Sequence, residues 1–331
     1  MRLFDCGVLV RTCGASLQAT LLLVYGCSSV PPHSNERSSA PRAAELSPAS
    51  FGGFDAGRAY EHVHHLVALG PRPPGSDAIG AAQAYLSSEL KDSGCQVEEH
   101  EFTGSSPIGT IRFKNIVAKA PGTSSAIILY ATHYDTIRIP NFVGADDGGS
   151  GTATLLELAR IICARKNSAN VWFAFFDGEE AQGNWRDSKT VQWIDDSNNT
   201  YGSREMAATM ALSGDLKRIK AMILADMIGP PNLRIRRETG STPWLNDLIW
   251  LTAARLGYAD IFVNEEFSLG GDDHKSFIRR GVPATDIIDF DNDIESTYWH
   301  TPEDTLQKID PRSLAIVGHV FLELLPELEK K

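Results

Sequence analysis

Two adjacent carboxylates, Glu179 and Glu180, follow the apolar run Val171 to Phe176 through Asp177-Gly178. Side by side they repel, and enclosure strips their solvation. The pair is therefore costly unless a cation holds one while the other stays free to move protons. Other acids and imidazoles fall in the same kind of place. His133 and Asp135 follow the run Ser125 to Thr132, Asp147 comes soon after in Val143 to Gly151, Asp226 ends the run Ala221 to Ala225, and His300 stands in Tyr298-Trp299-His300-Thr301 beyond the run Ala284 to Ile288. Nitrogen and oxygen donors in this mixture suit Zn²⁺. One Asp after a strand is more often a helix cap, and Asp146 or Asp147 alone would be read that way. His133, Asp147, Glu180, Asp226 and His300 taken together point to a metal centre. His274, in Gly271-Asp272-Asp273-His274, is a rival ligand whose place at a helix start suits support of the site rather than coordination. His62, His64, His65 and His319 fall on amphipathic helical segments and are read as surface or packing residues.

The elements that must position these groups follow from periodicity. Helical spacing runs from 54 to 69 and from 79 to 90, separated by the turn Gly70-Pro71-Arg72-Pro73-Pro74-Gly75, and strands are predicted over 96–102 and 110–118. Strands and helices then alternate: strand 126–132, helix 149–165, strand 171–176, helix 202–213, strand 220–226, helix 243–256, strand 284–288, helix 311–328. Runs apolar at every position are buried on both faces. The pattern predicts an α/β fold, a single domain with a central, mostly parallel, mixed sheet flanked by helices on both faces. In such sheets the active site lies beyond the carboxyl ends of the strands, where the acids and imidazoles fall.

With 331 residues, 42% hydrophobic and 22% charged, the chain can bury a large core. A net charge of −11 argues against a nucleic-acid partner, since the densest basic cluster, Arg234-Ile235-Arg236-Arg237, reads as a solvated loop or strand edge. Arg2 and Arg11 precede an apolar stretch around Leu21-Leu22-Leu23-Val24, which ends at Gly26-Cys27-Ser28-Ser29. Residues 1–27 are thus expected to be a lipoprotein-type signal with Cys27 as lipid anchor, 28–53 a flexible tether rich in Pro, Ser, Ala and Gly, and 54–331 the catalytic domain. That organisation implies an exported protein, a periplasmic or cell-surface lipoprotein or else secreted, touching membrane only through the lipid. Of five cysteines, Cys95 and Cys163 remain clear of the leader, and their places in a strand start and a helix lead us to expect two buried, unpaired thiols.

In order along residues 54–331, His133-Tyr134-Asp135, Gly144-Ala145-Asp146-Asp147, Asp177-Gly178-Glu179-Glu180, Tyr201-Gly202-Ser203-Arg204, Asp226 and His300-Thr301 resemble the zinc-dependent M28 peptidase family, which holds aminopeptidases and glutaminyl cyclases. The resemblance implies one Zn²⁺ on Asp147, Glu180 and His300, with Glu179 as the proton-transfer residue. In the two-zinc aminopeptidases, His133 and Asp226 would hold a second ion with Asp147 bridging. Three features favour a cyclase that acts on peptide or protein N-termini. They are the long segment between Glu180 and Tyr201 carrying Trp185, Asp272 before Asp273-His274, and Trp299 directly before His300. Trp185 and Trp299 would wall the substrate, while Asp272 and Asp226 orient Glu179 and the leaving amide. Other features resemble the peptidases. Asp147-Gly148-Gly149-Ser150-Gly151 follows their pattern, Thr132 and Thr152 stand where many animal cyclases carry a Cys pair, and the loop from Asp135 to Phe142 is short. A two-zinc aminopeptidase therefore stays open as the alternative. A non-catalytic binding ectodomain is a third reading, although such a protein would be expected to lose ligands. The chain is expected to act as a monomer.

Overall fold

The apolar runs become the inner strands of one sheet. The computed structural model describes residues 46–183 and 198–331, so Cys27 and Trp185 lie outside the described residues. Helix α1 (Ala56–Ala68) starts where the Asp55 carboxylate accepts from the N–H groups of Gly57 and Arg58, and it buries Ala59, Val63 and Leu66 at helical spacing. Helix α2 (Asp77–Asp92) is capped by Ser76. A long antiparallel hairpin follows, β1 (Gln96–Ser106) and β2 (Gly109–Ala120). Then come β3 (Ile127–His133), α3 (Gly149–Cys163), β4 (Asn170–Phe176), α4 (Tyr201–Ser213) and β5 (Ile219–Asp226). Beyond them lie β6 (Ile235–Glu238), α5 (Pro243–Arg255), β7 (Phe262–Phe267), the short α6 (His274–Ile278), β8 (Ala284–Ile288), α7 (Asn292–Thr297) and α8 (Pro311–Lys330).

The main sheet runs β1-β2-β4-β3-β5-β8. The pairs β3·β4, β3·β5 and β5·β8 are parallel, and β2 meets β4 antiparallel. Side chains alternate across it. Ile128, Tyr130, Phe173 and Ile223 pack toward α1, α3 and α8, whereas Leu129, Ala131, Trp172 and Leu224 pack toward α4 and Phe277 of α6. With both faces covered, every β3 residue is buried, at about 1.5–3 kcal/mol for each large apolar side chain taken from water.

Three features depart from the reading of the sequence. Cys95 and Cys163 form a disulfide instead of standing as separate thiols. Cys163 is the last residue of α3 and Cys95 directly precedes β1, and the fold brings their Cα atoms to 5.2 Å. Helical periodicity gave the face of Cys163 but not what the end of the helix abuts. Second, Ile235–Glu238 pairs in parallel with Phe262–Phe267 in a small two-stranded sheet absent from the predicted strands, and the basic cluster lies there as a strand edge. Both strands are too short and too charged to stand out by alternation. Third, Pro48–Phe51 makes a 3₁₀ turn and Phe51 is buried against the core, so packed structure begins a few residues before 54.

Candidate metal centre and active site

Because β3, β4, β5 and β8 run parallel, their carboxyl ends open on one edge, and the register aligns them. His133 ends β3 opposite Phe176 of β4, and Asp226 ends β5 opposite Ile288 of β8. Helix α3 approaches this edge closely enough that a Cβ on Gly151 would sit 2.3 Å from Thr132 Oγ1 and 2.4 Å from Ala225 O. Only glycine permits that contact, which delivers Asp147 to the strand ends.

Asp147 is the hub. Its Oδ1 lies 3.2 Å from His133 Nε2, and His133 Nε2 lies 3.1 Å from Asp226 Oδ1. Its Oδ2 lies 3.5 Å from His300 Nε2, which is 3.2 Å from Glu180 Oε2. Two ligand groups therefore share Asp147: His133, Asp147 and Asp226, and Asp147, Glu180 and His300, each with ligand atoms within 4.8 Å. The backbone is strained where it presents two of these residues. His300 has φ 52° and Met227, next to Asp226, has φ 44°, conformations that cost about 1–3 kcal/mol each and persist only when the surroundings enforce them. Asp135 supports the constellation from behind. Its Oδ1 and Oδ2 accept from the N–H groups of Glu179 and Glu180 at 3.2 and 3.4 Å, and Oδ1 lies 3.5 Å from His133 Nδ1.

The charges in this centre are short of a cation. Burial, reinforced by Asp147, pushes Glu180 up to about 7 against the pull of His300 and His133. Burial likewise pushes Asp226 up to about 6, with His133 opposing. His133 stays above its ordinary value because Asp226, Asp135 and Asp147 outweigh its desolvation, and His300 does so through Glu180 and Asp147. The acids thus favour positive charge on the imidazoles, the role a bound cation would take, and metal binding needs the imidazoles neutral. Glu180 Oε2 is buried with no hydrogen bond among the described residues, facing His300 Nε2 at 3.2 Å, and His133 turns Nε2 toward Asp147 and Asp226 while Nδ1 faces Asp135. The donor set, its burial and the unbonded Glu180 oxygen fit a zinc ion.

A cavity of about 210 Å³ opens over the centre. Asp147, Glu179, Glu180, Asp226, Asp272 and His300 form its polar floor, and Met227, Leu269, Ile288, Phe290 and Trp299 its apolar walls. The Trp299 ring stacks on that of His300 with centroids 3.9 Å apart, and Phe290 meets Trp299 edge-on at 5.1 Å. Glu179 is buried, and desolvation holds it well above the usual carboxylate range; His133 opposes this, while Asp272, Asp273 and Glu180 add to it.

Residues 115–325 match the sequence profile of peptidase family M28. The chain belongs to this family. Among solved structures, a glutaminyl cyclase from an Acidobacteriales bacterium superposes with a TM-score of 0.76 at 36% identity, over 84% of this chain and 95% of that one. The Porphyromonas gingivalis glutaminyl cyclase gives 0.75 at 31% identity, over 83% and 98%. A Zn-dependent exopeptidase from Parabacteroides distasonis gives 0.74 at 30% identity, over 82% and 98%. In sequence, a glutaminyl-peptide cyclotransferase of Drosophila melanogaster is 27% identical over 283 residues, 76% of each chain.

The M28 centre is backed by acids that sequence reasoning passed over. His274 lies outside both groups around Asp147. It joins Asp272 and Asp286 in a third cluster within 4.8 Å, with its Nε2 3.3 Å from Glu238 Oε2 and its Nδ1 3.7 Å from Asp286 Oδ2. Burial, then Asp272 and Asp226, drives Asp286 well above its usual range. Glu238 goes down to about 2, because hydrogen bonds from His274, Gly240 and Ser241 outweigh its desolvation. The signal was present in Asp286, an acid inside the apolar run Ala284 to Ile288. Asp146 is no helix cap; its Oδ1 accepts from Gly229 N at 2.8 Å and its Oδ2 from Tyr298 Oη at 2.7 Å.

Proposed function

We propose that the protein is a zinc-dependent glutaminyl-peptide cyclotransferase, converting N-terminal glutamine of peptides or proteins to pyroglutamate with release of ammonia. The observation that carries this reading is a cavity whose floor sets Glu179 and Asp272 beside the ligand groups and whose wall includes Trp299 stacked on His300. The similarity to several proteins named glutaminyl cyclases supports it.

In this reading Asp147, Glu180 and His300 hold the zinc. Bound there, the ion would polarise the γ-carbonyl of the substrate and, by its charge, return Glu179 toward the ionised form. Glu179 takes a proton from the α-amine as its nitrogen bonds to the γ-carbon, then gives it to the amide nitrogen as the C–N bond breaks and ammonia leaves. Asp272 and Asp226 orient Glu179 and the leaving amide. Trp299, together with Trp185, keeps the folded glutaminyl side chain at near-attack distance and excludes water. The direct test is ammonia release by the zinc-loaded protein from a glutaminyl peptide, with the same peptide acetylated on its α-amine as control. Release from both peptides would contradict intramolecular attack.

One observation favours a second reading. The two oxygens of Asp147 face two complete ligand groups, as a pair of zinc ions in an aminopeptidase would require. A tightly held pair of ions and cleavage of aminoacyl anilides would establish it. The complete set of ligand and proton-transfer residues weighs against a purely binding role.

We further propose export, with Cys27 as the lipid anchor and the residues from 28 up to the turn at Pro48 as tether to a monomeric catalytic domain. No helix among the described residues is long and apolar enough to cross a membrane, and the Cys95–Cys163 disulfide suits an oxidising compartment. Cys27→Ser should move the protein from the membrane to the soluble fraction; unchanged membrane retention would count against the anchor.

A further inference from the structure

Arg72 sits in the turn Gly70-Pro71-Arg72-Pro73-Pro74-Gly75, where a cation would ordinarily reach for solvent. Instead it is fully buried beneath the metal centre. Its Nε donates to Tyr134 O at 2.8 Å, its Nη1 to Val143 O at 2.5 Å and its Nη2 to Gly144 O at 2.9 Å. Its own N–H donates to Thr136 Oγ1 at 3.0 Å, and its carbonyl accepts from Thr136 N at 3.3 Å. The guanidinium thus ties the exit of β3, just past His133, to the loop that leads into Asp147. All three side-chain bonds go to neutral carbonyls. Burial lowers Arg72 to about 10, and Asp304 heads the acids that oppose the shift, followed by Asp135, Asp147 and Glu180.

Asp304 grips the same loop by its donors. Its Oδ1 accepts from Asp146 N at 2.8 Å and its Oδ2 from Asp147 N at 3.0 Å, while its carbonyl accepts from Ala145 N at 3.4 Å. It is fully buried and lies four residues beyond His300, so one short segment carries a proposed ligand and the brace of another. Between the two grips, Gly144 turns with φ 52°, and a Cβ there would come within 2.4 Å of Asp147 O. A loop this tight has few ways to relax while both grips hold.

We infer that Arg72 and Asp304 form a two-sided clamp, one on the carbonyls of residues 143 and 144 and the other on the amides of 146 and 147, that holds the Asp147 carboxylate with each oxygen facing its own ligand group. Both are positioning residues, and the clamp sets the affinity of the centre for its metal. The inference rests on Asp147 and His300 being ligands, but not on which reaction follows.

The test is zinc affinity, measured on the folded full-length protein by competition with a chromophoric chelator, together with the visible spectrum of the Co²⁺-loaded form. Arg72→Lys keeps the charge but loses the fork, and Asp304→Asn keeps the shape but loses one acceptor. Each should weaken zinc by about 10–100-fold, the usual effect of removing a group that orients a ligand, and should shift the Co²⁺ bands. Arg138→Gln removes a neighbouring bond, Arg138 Nη2 to Pro74 O at 2.6 Å, and should leave both readouts unchanged. If either clamp variant folds poorly, the other decides. Parental affinity and spectrum in a folded clamp variant, while His300→Ala loses zinc, would overturn the clamp and leave the ligand assignment standing. Parental affinity in His300→Ala would overturn both.

Discussion

His133 and His300 face opposite oxygens of one carboxylate, with Nε2 of the first 3.2 Å from Asp147 Oδ1 and Nε2 of the second 3.5 Å from Asp147 Oδ2. They come from distant parts of the chain, one from the end of β3 and the other from the loop after α7. Asp147 therefore joins the two halves of the centre, and the two halves can be separated by mutation.

His300→Ala should lose both zinc and activity. His133→Ala should keep a stoichiometric zinc if the enzyme works with one ion on Asp147, Glu180 and His300. Elemental analysis of the purified variants checks this. Loss of all metal from His133→Ala, with two ions in the parent, would favour the aminopeptidase arrangement.

Glu179 and Glu180 should give opposite signatures although they are adjacent. Glu179→Gln is expected to keep zinc and to slow turnover by roughly 10²-fold or more, the usual contribution of a placed proton-transfer group. Glu180→Gln should cost metal instead. Zinc content and turnover measured side by side would show exchanged roles if the pattern came out reversed.

Asp272 belongs to the cavity floor and also to the cluster with His274 and Asp286. Asp272→Asn should therefore leave zinc in place while cyclisation falls steeply, closer to Glu179→Gln than to a surface change. Parental turnover with zinc unchanged would remove Asp272 from the chemistry.

Much of this was legible before the structure, for identifiable reasons. The parallel strands read as nearly continuous apolar runs, so Ile127–His133 and Ile219–Asp226 were found nearly to the residue, and the groups at their ends came with them. What escaped depended on tertiary proximity. Cys95 and Cys163 are 68 residues apart, and neither residue type nor periodicity says that two element ends will meet. Arg72 and Asp304 act on backbone atoms of a loop far from both in sequence, a relation no motif of side chains records. Trp185 lies outside the described residues, so its place against the cavity is carried by the proposal alone.

His62 makes the acid side of the stability curve testable away from the centre. It is buried with Nδ1 2.6 Å from Tyr85 Oη, and burial, then Arg58, His65 and Arg160, lower it from 6.5 to about 4. The unfolded chain therefore binds the proton first as pH falls. The contribution is complete above about pH 6.5 and is lost between there and about pH 4, a change of about 3 kcal/mol. Urea unfolding at pH 7 and pH 4 should show that His62→Gln loses less stability over this interval than the parent. Equal losses would mean that His62 is not held neutral by the fold.

The central claim is that this M28 chain closes glutaminyl N-termini rather than cleaving peptides. The zinc-loaded protein, given a glutaminyl peptide and a leucyl anilide in parallel, is predicted to release ammonia and pyroglutamyl peptide from the first and to leave the second intact. Free aniline from the leucyl substrate, with the glutaminyl peptide uncyclised, would contradict the account.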